Sequence, residues 1–340
     1  MESVFDMAAG LTDAGLGENI SQKDKEFIKL YYGGSGLVEC ANYYAKRFNA
    51  EHDYFACFIV AEFCRIQGGF AKAVKYYESI CVGVNSETKS VFRHIDGREL
   101  KLDWRTLKPI VAESCRKLGK IYNDGALKDY AKAAKFFKQG CDLGDAECYR
   151  ALGFLCEEGN GVAQSYEKAI EFYQKAIALG SAEAYCSLGF LYEEGRGVAK
   201  DYNKAVEFYQ KAADLGSAGA YFNLGYMSQY GYGVERDYKK AIDLYQKAAE
   251  MGVAEAYCNL GYMYSNGQGV EKDNDKALEL YKKAADMGYA GAYRHLGIMH
   301  EEGDGVEKDD EKAIEFYEQA CTLGGDCNNY KRMKGTSKDS

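Results

Sequence analysis

The chain has 340 residues, 47% of them apolar and 28% charged, with a formal net charge of −9. That is enough apolar material for a large helical core, and the acidic balance excludes the clustered Lys and Arg of a nucleic-acid or anionic-membrane footprint. No run is long and apolar enough to insert into a bilayer, and the single Pro suits a nearly all-helical chain, because proline breaks helix interiors.

In chain order, residues 1–23 are Gly-rich and weakly patterned, which predicts a loose N-terminal arm. Glu2 and Asp6 stand where a signal peptide needs positive charge, so the expected location is cytoplasmic. Residues 24–82 predict N-terminal helices over Asp24–Tyr32 and Leu37–Phe48, then a degenerate repeat over Asp53–Cys81. Residues 83–110 interrupt the pattern. There Asp96-Gly97 separates two short β-like runs, Ser90–Ile95 and Arg98–Leu102, which is a β-hairpin signal near 90–102. The segment is either a loop insertion tolerated at an edge or an element for partner docking or self-association.

Residues 111–324 are periodic. Leu-Gly pairs at Leu152-Gly153, Leu188-Gly189, Leu224-Gly225, Leu260-Gly261 and Leu296-Gly297 are 36 residues apart, and Leu118-Gly119 lies 34 upstream. A fixed period of this size signals stacked repeats. Within one copy, Tyr185, Leu188, Gly189 and Tyr192 share a helical face, as do Tyr202, Ala205, Val206, Tyr209, Ala212 and Ala213. Gly195 and Gly197 stop the first helix and Gly216 the second, because glycine accepts the left-handed conformation of a helix end. Asp201 is placed to cap the second helix, with Asp129, Ser165, Asp237, Asp273 and Asp309 equivalent to it. Each unit is therefore a helix hairpin that must stack on its neighbours to bury its apolar face.

The recurring A-Y-x-x-L-G-x-x-Y-x-x-G-x-G-V-x-x-D-Y-x-K-A-x-x-x-Y-x-K-A-A-x-x-G resembles the Sel1-like repeat, a relative of the tetratricopeptide repeat. The resemblance implies an all-α fold, an α/α superhelical solenoid of helix hairpins. It also implies a non-catalytic scaffold for protein–protein interaction. First helices then line a concave groove. Two residues after each Leu, on the side away from the core stripe, stand Phe154, Phe190, Tyr226, Tyr262 and Ile298, with Phe222, Asn223 and Asn259 a turn earlier. Rings and amides in a groove suit an extended or helical peptide of a protein partner. The alternative is that the next hairpin covers the rings.

Twelve cysteines follow the same register. Cys81/Cys115, Cys141/Cys148 and Cys321/Cys327 each lie across a helix-to-helix turn. This is similar to the Helicobacter cysteine-rich proteins, a Sel1-like subfamily, and that similarity implies a disulfide in each pair and an oxidising compartment. Reduced cysteines packed in the core are the reading that fits a cytoplasmic chain. The same similarity implies a second function class, a weak β-lactamase-like hydrolase or cell-wall-fragment binder. Ser86–Lys89, Ser114–Lys117 and Ser165–Lys168 match S-x-x-K, but S-D-N and K-T-G are missing, so no serine route follows. The tandem carboxylates Glu157-Glu158, Glu193-Glu194 and Glu301-Glu302 read as solvated surface, and His295 and His300 are badly spaced for a metal. The pattern points to no catalytic residue, no metal and no cofactor. Residues 325–340 are polar and aperiodic, which predicts a disordered tail.

Overall fold

The computed structural model describes residues 70–83, 91–95, 98–102, 104–124 and 128–336. The expected arm over 1–23, the helices at Asp24–Tyr32 and Leu37–Phe48, and the first part of the degenerate repeat lie outside the described residues. Among the described residues the order is α1 (Phe70–Gly83), β1 (Val91–Ile95), β2 (Arg98–Leu102), α2 (Trp104–Asp124), α3 (Tyr130–Asp142), α4 (Ala146–Glu158) and α5 (Tyr166–Ala178). It continues with α6 (Ala182–Glu194), α7 (Tyr202–Asp214), α8 (Ala218–Tyr230), α9 (Tyr238–Glu250), α10 (Ala254–Asn266) and α11 (Asn274–Asp286). The last three are α12 (Ala290–Glu302), α13 (Asp310–Thr322) and α14 (Asn328–Thr336). The chain divides into two compact units at Ser181/Ala182.

In the first unit β1 and β2 pair antiparallel, Val91 opposite Leu102 and Ile95 opposite Arg98, while Asp96-Gly97 lies outside the described residues. Helix α2 starts at Trp104, inside the segment 83–110 read as an insertion. The first hairpin, α2 with α3, therefore begins earlier than the sequence boundary at 111.

Local chemistry starts and stops each hairpin helix. The side chains of Asp129, Ser165, Asp201, Asp237, Asp273 and Asp309 all accept from the main-chain N–H three residues on, satisfying a donor that the first turn leaves free. At the far end Gly216 takes φ +85°, a conformation that a side chain would resist. Asp237→Ala, which leaves the Lys240 N–H without its acceptor, is expected to cost about 1 kcal/mol, read from the urea midpoint.

Hairpins close on one tyrosine of the second helix. Tyr173, Tyr209, Tyr245, Tyr281 and Tyr317 are no more than 2% exposed. Their rings lie on the glycine of each Leu-Gly pair. A Cβ on Gly153, Gly189, Gly225, Gly261 or Gly297 would stand 2.6–2.8 Å from a ring carbon. That glycine is therefore room for a ring rather than a helix-to-helix backbone contact alone.

The phenol is also tied down. Tyr173 donates to Glu157 at 2.8 Å, Tyr209 to Glu193 at 2.6 Å, Tyr245 to Gln229 at 2.8 Å and Tyr317 to Glu301 at 2.8 Å. This corrects the solvated reading of the tandem carboxylates: the first of each pair is the tyrosine's acceptor, and Glu157 is 4% exposed. Burial raises the Glu193 carboxyl above its usual value, partly offset by the Tyr209 hydroxyl.

A second correction concerns the first-helix stripe. Tyr185 and Tyr192 are half-buried at its rim, and the buried positions of α6 are Ala184, Leu188, Gly189 and Leu191. The residue three after the Leu, which is Met227, Met263 and Met299 in the following copies, is core in each. Residues three apart lie about 60° from each other around a helix, so Leu and its i+3 partner share one face.

The tail expected to be disordered over 325–340 contains α14. Cys321 and Cys327 are bonded to each other just before it. Met333 is buried with Ala313 and Tyr317, and Arg332 bonds Glu301 at 2.7 Å. Met333, with Tyr330 packed beside it, gives an otherwise polar helix enough burial to dock.

Candidate partner-binding face

The first helices of the second unit are α6, α8, α10 and α12. With Leu188 and Leu191 turned inward, the residue between them and nearest the far side is Phe190, about 200° from Leu188. It is 39% exposed, and its equivalent Tyr262 is 37% exposed, whereas Tyr226 and Ile298 are half-buried. In the first unit Phe154 is 44% exposed. Hairpin packing leaves Phe154, Phe190 and Tyr262 in solvent, which goes against a purely core role for those rings.

The rings of the second unit form a run. Tyr226 and Tyr230 have centroids 4.6 Å apart, and Tyr230 lies 5.9 Å from Tyr232, which stacks on Tyr202 at 4.8 Å. Further on, Tyr262 is 6.3 Å from His295. Burial raises the Tyr226 and Tyr230 phenols, with neighbouring tyrosines adding to it. The Arg196 guanidinium lies 5.2 Å from the Phe190 ring centroid, a cation–π distance.

Other positions are divided. Phe222 packs 5.6 Å from the Tyr245 ring and belongs partly to the core, and Asn223 and Asn259 are half-buried beside it. Sequence reasoning missed Tyr230, although it stands one helical turn beyond Tyr226 and so on the same side. It also missed a second apolar row, Leu179 in the first unit and Leu215, Met251, Met287 and Leu323 in the second, each 46–57% exposed where a second helix ends.

Cysteine placement is mixed. Cys321–Cys327 is a disulfide, whereas Cys81, Cys115, Cys141 and Cys148 are buried and unbridged, with the Cys81 and Cys115 sulfurs 3.2 Å apart. Burial pushes the Cys141 thiol up to about 12, so it carries almost no nucleophilic thiolate at neutral pH.

Two of the three S-x-x-K serines lie among the described residues, and both have structural roles. Ser114 is fully buried and donates to the Ile110 carbonyl. Ser165 is a helix cap, and Ser86–Lys89 lies outside the described residues. No group of three His, Cys, Asp or Glu among the described residues could hold a metal ion, and no described helix is long and apolar enough to cross a membrane.

Hairpins recurring at a near-constant period, each locked by a ring on a glycine, define a helical-repeat protein. The Sel1 repeat model matches residues 112–145, 146–181, 182–217, 218–253, 254–289 and 290–325, so the chain belongs to the Sel1-repeat family. Proteins of this family are commonly protein–protein interaction scaffolds. Among solved structures, a Sel1 repeat protein from Oxalobacter formigenes is 32% identical over 62% of this chain and 87% of its own, with a TM-score of 0.56. The protective antigen c5321 of uropathogenic Escherichia coli, described as an SLR fold, is 23% identical over 87% of this chain and 67% of its own, with a TM-score of 0.51. Helicobacter pylori cysteine rich protein B is 30% identical over 39% of this chain and 96% of its own, with a TM-score of 0.31. No curated protein matches the chain.

Proposed function

We propose that this protein is a non-catalytic interaction scaffold that holds a segment of a protein partner along the first-helix face of its second unit. The observation that carries this reading is the exposure of Phe190 and Tyr262, large rings that hairpin packing leaves 39% and 37% in solvent. Burying an exposed aromatic against a partner contributes about 25 cal/mol per Å² of apolar surface removed from water, and rings of this kind supply most of the energy at interfaces. Half-buried Asn223, three residues before Tyr226 on the same helix, carries an amide suited to a peptide backbone, while the Asn259 side chain is turned to the core Tyr245 phenol.

Phe190→Ala with Tyr262→Ala tests it, using the full chain as bait and mass spectrometry of what it retains. A partner held by the parent chain is expected to be lost from the double variant, with the melting midpoint unchanged. Retention by the double variant, or a fall of about 3 kcal/mol or more in its stability, the scale of core truncation, would overturn the reading.

A further inference from the structure

Cations are sorted between the two sets of helices in the second unit: the second helices balance most of their acids with Lys, and the first helices do not. The second helices α7, α9, α11 and α13 carry nine Lys among eleven Asp and Glu. The first helices α6, α8, α10 and α12 carry six Glu and, as their one Lys or Arg, Arg294. Two of the six, Glu193 and Glu301, accept from the core tyrosines. The other four are Glu183, Glu194, Glu255 and Glu302, and none of them takes part in an ion pair among the described residues.

Their spacing puts them with the rings. Glu183 is seven residues before Phe190 and Glu194 four after it, about 20° and about 40° around the helix from it. Glu255 is seven before Tyr262 and Glu302 four after Ile298, in the same two registers. Neighbouring rows lie within electrostatic reach of each other: Glu193 and Tyr262 both help to raise phenols of α8, Tyr226 and Tyr230 respectively. The face is thus a row of rings bordered by carboxylates.

The chain supplies its own example of what docks beside such a row. Helix α14 has three cations, Lys331, Arg332 and Lys334, and no acid. It packs on the second helix α13 with Met333 buried against Ala313 and Tyr317, reaches the row at Ile298, and sets Arg332 on Glu301, the acceptor of the Tyr317 hydroxyl. Arg196 over Phe190 shows the other half of the chemistry, a guanidinium on a ring of the row.

We infer that the first-helix face of the second unit takes a basic amphipathic segment of a protein partner. Its apolar or aromatic side chains lie on Phe190, Tyr226, Tyr230 and Tyr262, and its Lys and Arg lie against Glu183, Glu194 and Glu255. The inference rests on the scaffold reading above and adds the partner's charge. Guanidinium groups suit this face twice over, pairing with carboxylates and stacking on rings. Like-charged partners are rejected by the same carboxylates.

The probe is a fluorescein-labelled peptide in which Lys and Arg alternate with Leu and Tyr, compared with versions carrying Gln or Glu at every cationic position. Anisotropy is read on the full chain. The basic peptide is expected to bind, more weakly at about 300 than at about 50 mM NaCl because exposed charges are screened, with the Gln version about tenfold weaker and the Glu version not binding. Exposed pairs are individually weak, so Glu183→Gln, Glu194→Gln and Glu255→Gln are combined. That triple variant is expected to lose about fivefold or more in affinity with an unchanged melting midpoint. Asp214→Asn with Glu250→Gln and Asp286→Asn, the same charge removed from the second helices, is expected to leave binding unaltered. Equal loss in both triple variants would mean bulk charge alone and overturn the inference. A Gln peptide that binds as well as the basic one, and is lost only with Phe190→Ala and Tyr262→Ala, would overturn it while leaving the scaffold reading intact. If none of the three peptides binds, the inference fails, and the scaffold reading then stands or falls on the bait experiment.

Discussion

Tyr245→Ala is expected to destabilise the second unit by about 3–5 kcal/mol, the range for removing a buried aromatic side chain. The ring is fully buried, lies on Gly225, and packs 5.6 Å from Phe222, while its hydroxyl donates to Gln229 at 2.8 Å. Truncation therefore opens a cavity and strips an acceptor at once. Tyr245→Phe separates the two effects. It keeps the ring and loses only the hydrogen bond, for about 1–2 kcal/mol, because Gln229 is 3% exposed and water reaches it poorly. Gly225→Ala attacks from the other side: its Cβ would stand 2.8 Å from the Tyr245 ring, and overpacking of this kind costs about 1–3 kcal/mol. The decisive measurement is the double variant. With the ring gone, the added methyl fills vacated space, so Gly225→Ala is expected to be neutral or stabilising in the Tyr245→Ala background. Urea midpoints for the four proteins measure that coupling. Simple additivity would show that the glycine is there for some reason other than the ring.

The pairing of Gly225 with Tyr245 also shows where the sequence was legible. Period, hairpin, caps and stops all follow from residue types with a local physical preference, such as Asp237 at an N-cap and Gly216 in the left-handed region. The buried tyrosine was visible too, because Tyr209 recurs at a helical spacing. Its partner was not. Glu193 looks like the first of two surface acids at a helix end, and only the hairpin's closure brings it under the Tyr209 hydroxyl. A signal did exist in the constant offset of 16 residues between each tyrosine and its acceptor, one that Gln229 keeps without the charge. On the candidate face, Phe190 and Tyr262 could be read from their register opposite Leu188 and Leu260. Tyr226 and Ile298 have the same register but are half-buried, since their exposure depends on Tyr230 and Tyr232 in one case and α14 in the other. Tyr230 and Tyr232 stand where the copy before has Glu194 and Arg196, and α14 follows the last hairpin, so neither contact belongs to the shared repeat pattern.

His295 is expected to make the second unit acid-sensitive over a defined window. In the other copies of this unit its position holds Ser187, Asn223 and Asn259. Here an imidazole stacks on the buried Tyr281 ring, 4.8 Å away and nearly parallel, with Tyr262 beside it. Burial, and then the adjacent Arg294, push it down to about 4 from a usual value of 6.5. The folded protein thus keeps the ring neutral where the unfolded chain would protonate it. Between pH 6.5 and pH 4 the unfolded state binds more protons, so stability falls as the pH falls and levels off below the folded value. At about 1.4 kcal/mol per unit between 6.5 and about 4, the full loss is about 3.5 kcal/mol. Other groups titrate nearby in opposite senses. Glu193 is raised by burial, so its contribution fades as pH rises, while Glu301 is lowered by Arg332 and loses its contribution as pH falls. The difference between parent and His295→Asn isolates the imidazole, because Asn already serves this helix position in two copies. The variant is expected to show a flatter stability profile from pH 6.5 down to pH 4, and the parent's imidazole proton resonances to titrate near 4 rather than 6.5. A His295 resonance that titrates at the ordinary value would mean that Tyr281 does not hold the ring out of water. The acid limb would then belong to the carboxylates alone.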